Sequence, residues 1–346
     1  MIQAAIVGIG WWGRTLVESV HNASERIRFT VACSRSQTQA HQEFAQAHGM
    51  KLYGDYSEVL QDPDVDAVVL ATPPSAHRNQ IVAAARAGRH AFVEKPFTMT
   101  LEEAREVVEA ATSAGIVLGL GYTRRFHPSW ADLRRRVRSG ELGTILHMES
   151  TMTGPNGLSM PATAWRAQRR EAPCGGLFPM AVHALDGMID LCGEFDEAYT
   201  RSYRAVVEND VDDTTAAVLR MKFGATATIT TIMATAASSR FAVYGSQGWA
   251  QLLGTTHRAG QSSQERRTNI FGSYVVQPVH GERLDLDVPG FDVVAAELEA
   301  FADACSGGPA FPITQAEMIH GAAATEAIIR SAASGVSEKV EESTST

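Results

Sequence analysis

Lys95 closes an apolar run, His90-Ala91-Phe92-Val93-Glu94-Lys95-Pro96-Phe97. The run reads as a buried strand over 91–93 that carries a charged pair to its carboxyl end. Pro96 stops it, because proline has no amide hydrogen to give a central strand. It also biases Lys95 away from the helical region. A lysine held beside a carboxylate can shift its pKa and act as a proton donor or acceptor. A second pattern, Gly8-Ile9-Gly10-Trp11-Trp12-Gly13, follows an apolar strand over 2–7 and opens a helical pattern from 14 to about 23. In that context the first glycine permits a tight turn, the second lets backbone approach a pyrophosphate, and the third allows close helix–strand packing. The anion would sit at the positive end of the helix.

The residue that meets an adenosine ribose falls about 20 positions after the last glycine. Here that count reaches Cys33, Ser34 and Arg35, with no carboxylate among them. A carboxylate would bond the 2′-hydroxyl of NAD, whereas arginine and small hydroxyls suit the 2′-phosphate of NADP. Ser34, Arg35 and Ser36 therefore predict NADP in preference to NAD. An arginine stacked on adenine is compatible with NAD as well.

These groups need a scaffold that brings them to one edge. Strands are predicted at 2–7, 27–33, 66–71, 91–93 and 116–121, with helices at 14–23, 38–48, 76–87 and 101–114 between them. The run 66–71 is almost continuously apolar, as in a parallel strand covered on both faces. It ends in Thr72-Pro73-Pro74-Ser75-Ala76-His77, where the prolines fix a turn and Ser75 caps the next helix. Gly88 ends that helix, and Thr100 caps the one after it. Five strands separated by helices predict a doubly wound parallel sheet. Its carboxyl edge then carries Gly8 to Gly13, Ser34-Arg35, Thr72 to His77, Glu94-Lys95-Pro96 and Tyr122, and ligands bind at such an edge.

The 346 residues suggest two domains, and 45% hydrophobic with 20% charged residues is ordinary for a globular chain. A net charge of −9 argues against a nucleic-acid partner. The Arg134-Arg135-Arg136 run reads as a solvated helix face. Four scattered cysteines without a CxxC pair indicate neither a zinc site nor a disulfide framework. No metal site is expected. No leader pattern precedes the first strand, and no apolar run reaches the ~18 residues of a membrane span. A cytoplasmic location is the default expectation.

The second half is less explicit. A basic helix is predicted over 128–139, followed by a loop over 154–172 that contains Trp165 and Arg166. A helix over 178–191 carries His183 and Asp186 three apart, close to one face. Asp186 could accept from one ring nitrogen and fix the tautomer. Strand-like segments recur at 198–207, 214–223, 226–234, 240–244 and 249–253. Alternating Thr226, Thr228 and Thr230 mark a half-exposed antiparallel sheet. A polar loop over 255–269, helices over 293–306 and 315–333, and a frayed polar tail at 337–346 complete the reading.

Taken together, the GxGxxG turn, Ala71-Thr72-Pro73-Pro74 with His77, and Glu94-Lys95-Pro96 resemble the Gfo/Idh/MocA oxidoreductases, the group of glucose–fructose oxidoreductase and inositol dehydrogenase. The likeness continues at Gly121-Tyr122-Thr123-Arg124-Arg125-Phe126-His127-Pro128, at Trp165-Arg166, and from Gly175-Gly176 to His183 and Asp186, out to about residue 330. The resemblance implies a Rossmann domain over 1–122 and an α+β domain with a large open, mainly antiparallel sheet over 123–336. It implies hydride transfer between NADP or NAD and a hydroxyl or carbonyl carbon of a sugar, polyol or related small molecule. Cofactor contacts would come from Gly8, Ile9, Gly10, Trp11, Trp12, Gly13, Ser34, Arg35, Ser36, Ala71, Thr72, Pro73, Pro74, His77, Glu94, Lys95 and Arg166. Lys95 would be the acid/base and His183 would bond the same oxygen, with Tyr122, Trp165 and Phe178 lining the substrate. The far face of the sheet would make a homodimer or homotetramer.

One departure matters. The usual Asp-x-x-x-His pattern of the family has Pro179 in the aspartate position here, and Ala181 replaces the common glycine. Proline cannot bind a hydroxyl. The departure brings forward a non-sugar substrate, such as an aromatic dihydrodiol or a cyclic hemiacetal. A non-catalytic NADP-binding sensor is the alternative from another class.

Overall fold

The computed structural model describes residues 1–257 and 260–342. The chain divides into two compact units, 1–123 with 292–319 and 124–291 with 320–346.

The first unit alternates strands and helices. In chain order it runs β1 (Ile2–Val7), α1 (Trp11–Val20), β2 (Ile27–Cys33), α2 (Gln39–Ala47), β3 (Lys51–Tyr53), α3 (Tyr56–Gln61), β4 (Ala67–Leu70), α4 (Pro74–Arg86), β5 (His90–Glu94), α5 (Leu101–Ala114) and β6 (Leu118–Gly121). The strands form one parallel sheet in the order β3-β2-β1-β4-β5-β6. This is the expected doubly wound sheet with one strand more than the five predicted. The extra strand, β3, has only three residues and lies at the edge, too short to leave a periodic signature. All four residues of β4 are buried, as a strand covered on both faces must be. Pairing aligns Val7 with Cys33 and with Leu70, and Leu70 with Val93. The turns that follow β1, β2, β4 and β5 therefore leave the sheet on the same edge.

Capping follows the sequence in part. Thr100 Oγ1 accepts from the Glu103 amide at the start of α5, as expected. At α4 the expectation fails. The helix begins two residues early, at Pro74 with Pro73 as its cap, and Ser75 lies inside the first turn. Proline needs no amide partner there, and its fixed φ already suits a first helical turn.

The second unit holds α6 (Pro128–Arg138), β7 (Ile145–Thr153), α7 (Val182–Cys192), β8 (Phe195–Tyr203), β9 (Thr214–Met221), β10 (Thr226–Ile232), β11 (Ser238–Gly245), β12 (Gly248–Gly254), α8 (Ser263–Thr268), β13 (Phe271–Pro278) and β14 (Leu284–Leu286). Along the chain there follow α9 (Val293–Cys305), which belongs to the first unit, α10 (Gln315–Ser334) and β15 (Glu338–Lys339). The sheet has nine strands in the order β14-β13-β12-β11-β7-β10-β9-β8-β15. Among the described strands only β7 and β10 run parallel, so the sheet is mainly antiparallel. β9 alternates buried and exposed positions along its length, the mark of a sheet with one covered face.

Three expectations change here. The segment 292–319, expected in the C-terminal domain, groups with the first unit. There α9 packs Phe301 edge-on against Phe92 of β5, with ring centroids 5.5 Å apart. The tail at 337–346 is not simply frayed. Glu338 and Lys339 pair with β8, and Val340 is buried; residues 343–346 of that expectation lie outside the described residues. The polar loop 255–269 contains α8, capped by Ser262 in a reciprocal box with Glu265, and residues 258 and 259 of it lie outside the described residues. Among the described residues no helix is long and apolar enough to cross a membrane.

Candidate active site

The glycine turn is explained by packing at two of its three positions. Gly8 has φ +97°, and a Cβ there would lie 2.6 Å from the Ala71 carbonyl oxygen. A Cβ on Gly13 would lie 1.9 Å from the Gly8 carbonyl oxygen. Gly10 differs. A Cβ there would meet no described atom within 4 Å, and its φ of −69° suits any residue. The described residues do not demand glycine at 10, and the open space there suits a ligand that needs the backbone close. Gly10 caps α1, whose first turn carries no acidic residue. A positive helix end facing open space fits a pyrophosphate. Trp11 is 48% exposed beside this cradle, with its ring edge-on to Trp12 at 5.3 Å. Ile9 is buried, so only its main chain can serve a cofactor; its carbonyl accepts from Arg14 Nε at 3.3 Å.

After β2, Ser34, Arg35 and Ser36 are half-buried to exposed. Sequence reasoning missed a fourth member. His41 Nδ1 lies 3.0 Å from Ser34 Oγ and 3.3 Å from Ser36 Oγ, and the two hydroxyls are 3.3 Å apart. Partial burial and the nearby Arg14 charge lower the His41 pKa. Its seven-residue separation from Ser34 crosses a loop–helix junction, which no simple period reveals.

The turn after β4 places Ala71, Thr72 and Pro73 in half-buried positions at the same edge. Thr72 Oγ1 donates to Gln80 Oε1 at 2.6 Å. His77, expected at the cofactor on sequence grounds, is fully buried. Its ring nitrogens face main-chain carbonyls of Thr72, Pro96 and Phe97. Lys95 is half-buried at the end of β5, and the Lys95–Pro96 peptide is cis. Glu94 is buried and pairs in register with Gly121 on β6. A Cβ on Gly121 would lie 2.9 Å from the Glu94 carboxylate, so that glycine makes the room Glu94 occupies. Tyr122 is buried.

In the second unit, a π-helical turn (Leu177–Ala181) leads into α7. The Ala181 amide reaches back five residues to the Gly176 carbonyl at 3.1 Å. Pro179 is tolerated because it lies in the first turn after the cap Gly176, where no intrahelical amide bond is due. π-Helical turns recur at functional sites. From 177 to 191 every position is buried except 179 and 183. Four apart, Pro179 and His183 sit one above the other on one face, the only accessible strip of that segment. Phe178, expected to line the substrate, is 1% exposed. It points to the opposite side and is core. Trp165 and Arg166 lie in a 3-10 turn (Trp165–Ala167), with the guanidinium 4.0 Å from the indole centroid, a cation–π stack.

Asp186 does not stand ready for His183 alone. Its two oxygens accept from Arg125 Nε at 3.0 and 2.9 Å, and Oδ1 accepts from Nη2 at 2.6 Å. Asp190, one turn on, accepts from Trp130 Nε1 at 2.8 Å. It also pairs with Arg134 at 3.4 Å and Arg138 at 3.3 Å. The arginine run is thus no simple solvated face: Arg134 serves α7, and the buried Arg136 pairs with Asp132 at 2.6 Å. Trp130 fits because Gly187 lies against it; a Cβ there would be 2.5 Å from the indole. Thiolate chemistry is disfavoured throughout. Burial pushes Cys33 and Cys174 up to about 11, and Cys192 and Cys305 up to about 12, far from the range of reactive thiolates.

Two family models match. One, described as an oxidoreductase family with an NAD-binding Rossmann fold, covers residues 2–122. The other, the GFO/IDH/MocA C-terminal domain, covers 130–251. The 1,5-anhydro-D-fructose reductase of Ensifer adhaerens is 30% identical over 82% of this chain and 82% of its own length. The myo-inositol 2-dehydrogenase of Thermotoga maritima is 26% identical over 74% of each chain. The solved aldose–aldose oxidoreductase from Caulobacter crescentus superposes with a TM-score of 0.84 at 23% identity, covering 98% of this chain and 99% of that one. A glycine cradle on a wound parallel sheet, followed by a unit with a large mixed sheet, is thus joined to sequence relatives of matching length, and the chain belongs to the Gfo/Idh/MocA family of NAD(P)-dependent oxidoreductases acting on CH–OH groups.

Proposed function

We propose that the chain oxidises or reduces a sugar, polyol or related small molecule with NADP, and that Lys95 handles the hydroxyl proton. One observation carries the reading. The exits of β1, β2, β4 and β5 share one edge, so the glycine cradle and Lys95 project from the same rim. When bound, the nicotinamide supplies or accepts the hydride at C4. The turn after β1 would hold the pyrophosphate, and Ser34, Arg35, Ser36 and His41 would serve the adenosine ribose. Hydroxyls, a guanidinium and an imidazole favour the extra phosphate of NADP over NAD. Fluorescence titration with NADPH and NADH tests this part: NADPH binds at least tenfold tighter. Equal affinities would assign the cluster to adenine stacking.

His183 is the proposed polar group on the second unit, with Trp165 and Arg166 as weaker members of the set. A second reading draws on Pro179. The accessible strip on that segment offers one imidazole and no carboxylate, which fits a substrate with fewer hydroxyls, such as an aromatic dihydrodiol or a cyclic hemiacetal. The reductase and dehydrogenase relatives favour sugars and inositols. A panel of inositols, aldoses, 1,5-anhydro sugars, cyclic hemiacetals and dihydrodiols, each with NADP⁺ and NAD⁺, decides between them by nicotinamide absorbance. Tight NADPH binding with no turnover across the panel would bring forward a sensor.

We also propose a homodimer or homotetramer through the open face of the nine-stranded sheet. Tyr199 and Val218 stand opposite each other there, both exposed, with Tyr203 further along β8. Light scattering behind size exclusion reads the mass, and a monomer at micromolar concentration would reject the proposal. A cytoplasmic location belongs to the same reading and accords with four unbonded cysteines.

A further inference from the structure

We infer that His77 is a positioning residue for Lys95: its imidazole ties the turn after β4 to the turn that carries the lysine. The ring sits in the first turn of α4 and is fully buried. On one side, Nδ1 lies 3.0 Å from the Pro96 carbonyl oxygen and 3.2 Å from that of Phe97. On the other, Nε2 lies 3.1 Å from the Thr72 carbonyl oxygen. Carbonyls withdrawn from water require donors, and these three, two on buried residues and one on the half-buried Thr72, belong to turns outside the described β-ladders. With a proton on either nitrogen the ring donates to one turn; with a proton on each it donates to both.

The strands behind these turns are neighbours, Leu70 pairing with Val93. The ring therefore bridges the exits of two adjacent strands at the sheet edge. Pro96 and Phe97 are themselves buried, so their carbonyls are fixed points. Lys95 immediately precedes the first of them. Where the Pro96 carbonyl is held, the Lys95 backbone is held. A displacement of about 1 Å at a reacting group can cost on the order of 10²-fold in rate, so such a tie bears on turnover without touching a ligand. The rigid ring presents one nitrogen to each turn from opposite sides, whereas an amide offers its N–H groups at one end only.

The inference rests on Lys95 being the acid/base, but its test does not. The chain has four lysines, Lys51, Lys95, Lys222 and Lys339. Three of them are ion-paired at the surface, with Asp62, Glu194 and Asp196 respectively. Reductive methylation with ¹³C-formaldehyde gives each lysine one resonance, and Lys95→Arg assigns the fourth. In His77→Phe, which keeps size without donors, the Lys95 resonance and its titration midpoint move while the other three stay. In His77→Gln, which restores one side, they move less. NADPH affinity stays within about threefold in both, and turnover on the panel's best substrate falls in the same order with KM little changed. A Lys95 resonance identical in wild type and folded His77→Phe overturns the tie, whatever Lys95 does in the reaction. Should His77→Phe fail to fold by circular dichroism, an unmoved resonance in His77→Gln overturns it equally. Unchanged turnover in Lys95→Ala would instead strike the acid/base reading and leave the NMR result standing.

Discussion

The two units hold their chemical groups by opposite means. At the sheet edge of the first unit, the Lys95 turn is fixed by main chain: carbonyls around His77, glycines that admit Ala71 and Glu94, and a proline that ends β5. On the second unit, α7 is fixed by charge. Arg125 and Asp186 have side chains 2% and 4% exposed, and Asp190 adds a second anchor at 2%. The difference has a physical consequence. Main-chain ties tolerate loss of charge but not of space. A buried ion pair tolerates neither partner being lost alone. The first unit should therefore respond to substitution through function and local fit, and the second through stability.

The largest expected effect lies in the first unit. Lys95→Ala lowers turnover by roughly 10²–10⁴, the usual range for a lost acid/base, while NADPH binding survives and the melting temperature holds. Steady-state kinetics with a parallel melt shows it, and a loss of stability comparable to that of an Arg125 variant would erase the contrast between the units. Next in size is Arg125→Met, which leaves Asp186 buried without its partner and costs about 3–5 kcal/mol of stability. Chemical denaturation measures the change. The double variant Arg125→Met with Asp186→Leu removes both charges and should be more stable than Arg125→Met alone. If the double variant loses the sum of the two singles, the pair is not coupled, and α7 is held by packing around Trp130 instead.

The same contrast explains what the sequence displays. The glycine turn, Pro96, the apolar strand over 66–71 and Thr100 act on neighbours a few residues away, and local chain geometry announces them. The doubly wound sheet was legible for that reason. Arg125 and Asp186 are 61 residues apart, and the arginine run looked solvated because its partners lie on another element. β3 was missed because three residues carry no period, and β13 and β14 because they follow a polar stretch without alternation. At the candidate site, the residues on turns were readable as types. Their directions were not: His77 faces main chain, Phe178 faces the core, and His41 joins the Ser34 cluster across a helix start.

A pair of glycine variants sharpens the first half of the comparison. Gly13→Ala puts a methyl 1.9 Å from the Gly8 carbonyl oxygen, and such overpacking costs about 1–3 kcal/mol. Gly10→Ala meets no protein atom, so stability stays nearly constant while NADPH affinity falls. Thermal melts and fluorescence titration of the two variants should give mirror-image results. Equal destabilisation by both would mean that the space at Gly10 is not reserved for a ligand.

The smallest effect tests the second unit by pH. His320 on α10 is buried, and its Nε2 accepts from the Phe195 amide at 2.8 Å. Burial lowers its pKa, opposed by the Glu194 carboxylate and reinforced by Lys222. Protonating Nε2 would bury a charge and displace the Phe195 donor together. In the unfolded chain the ring titrates near ~6.5. Below that pH the unfolded state binds a proton the folded state refuses, so stability falls as pH falls. Above it both states are neutral and the group contributes no slope. His320→Gln keeps an acceptor for Phe195 and removes the titration, so its melting temperature should decline less steeply than wild type between pH 7 and 5. Some decline remains, because burial also lowers the pKa of His127 in the same unit. Parallel curves for wild type and variant would show that His320 is protonated in the fold, and the Phe195 amide would then need another acceptor.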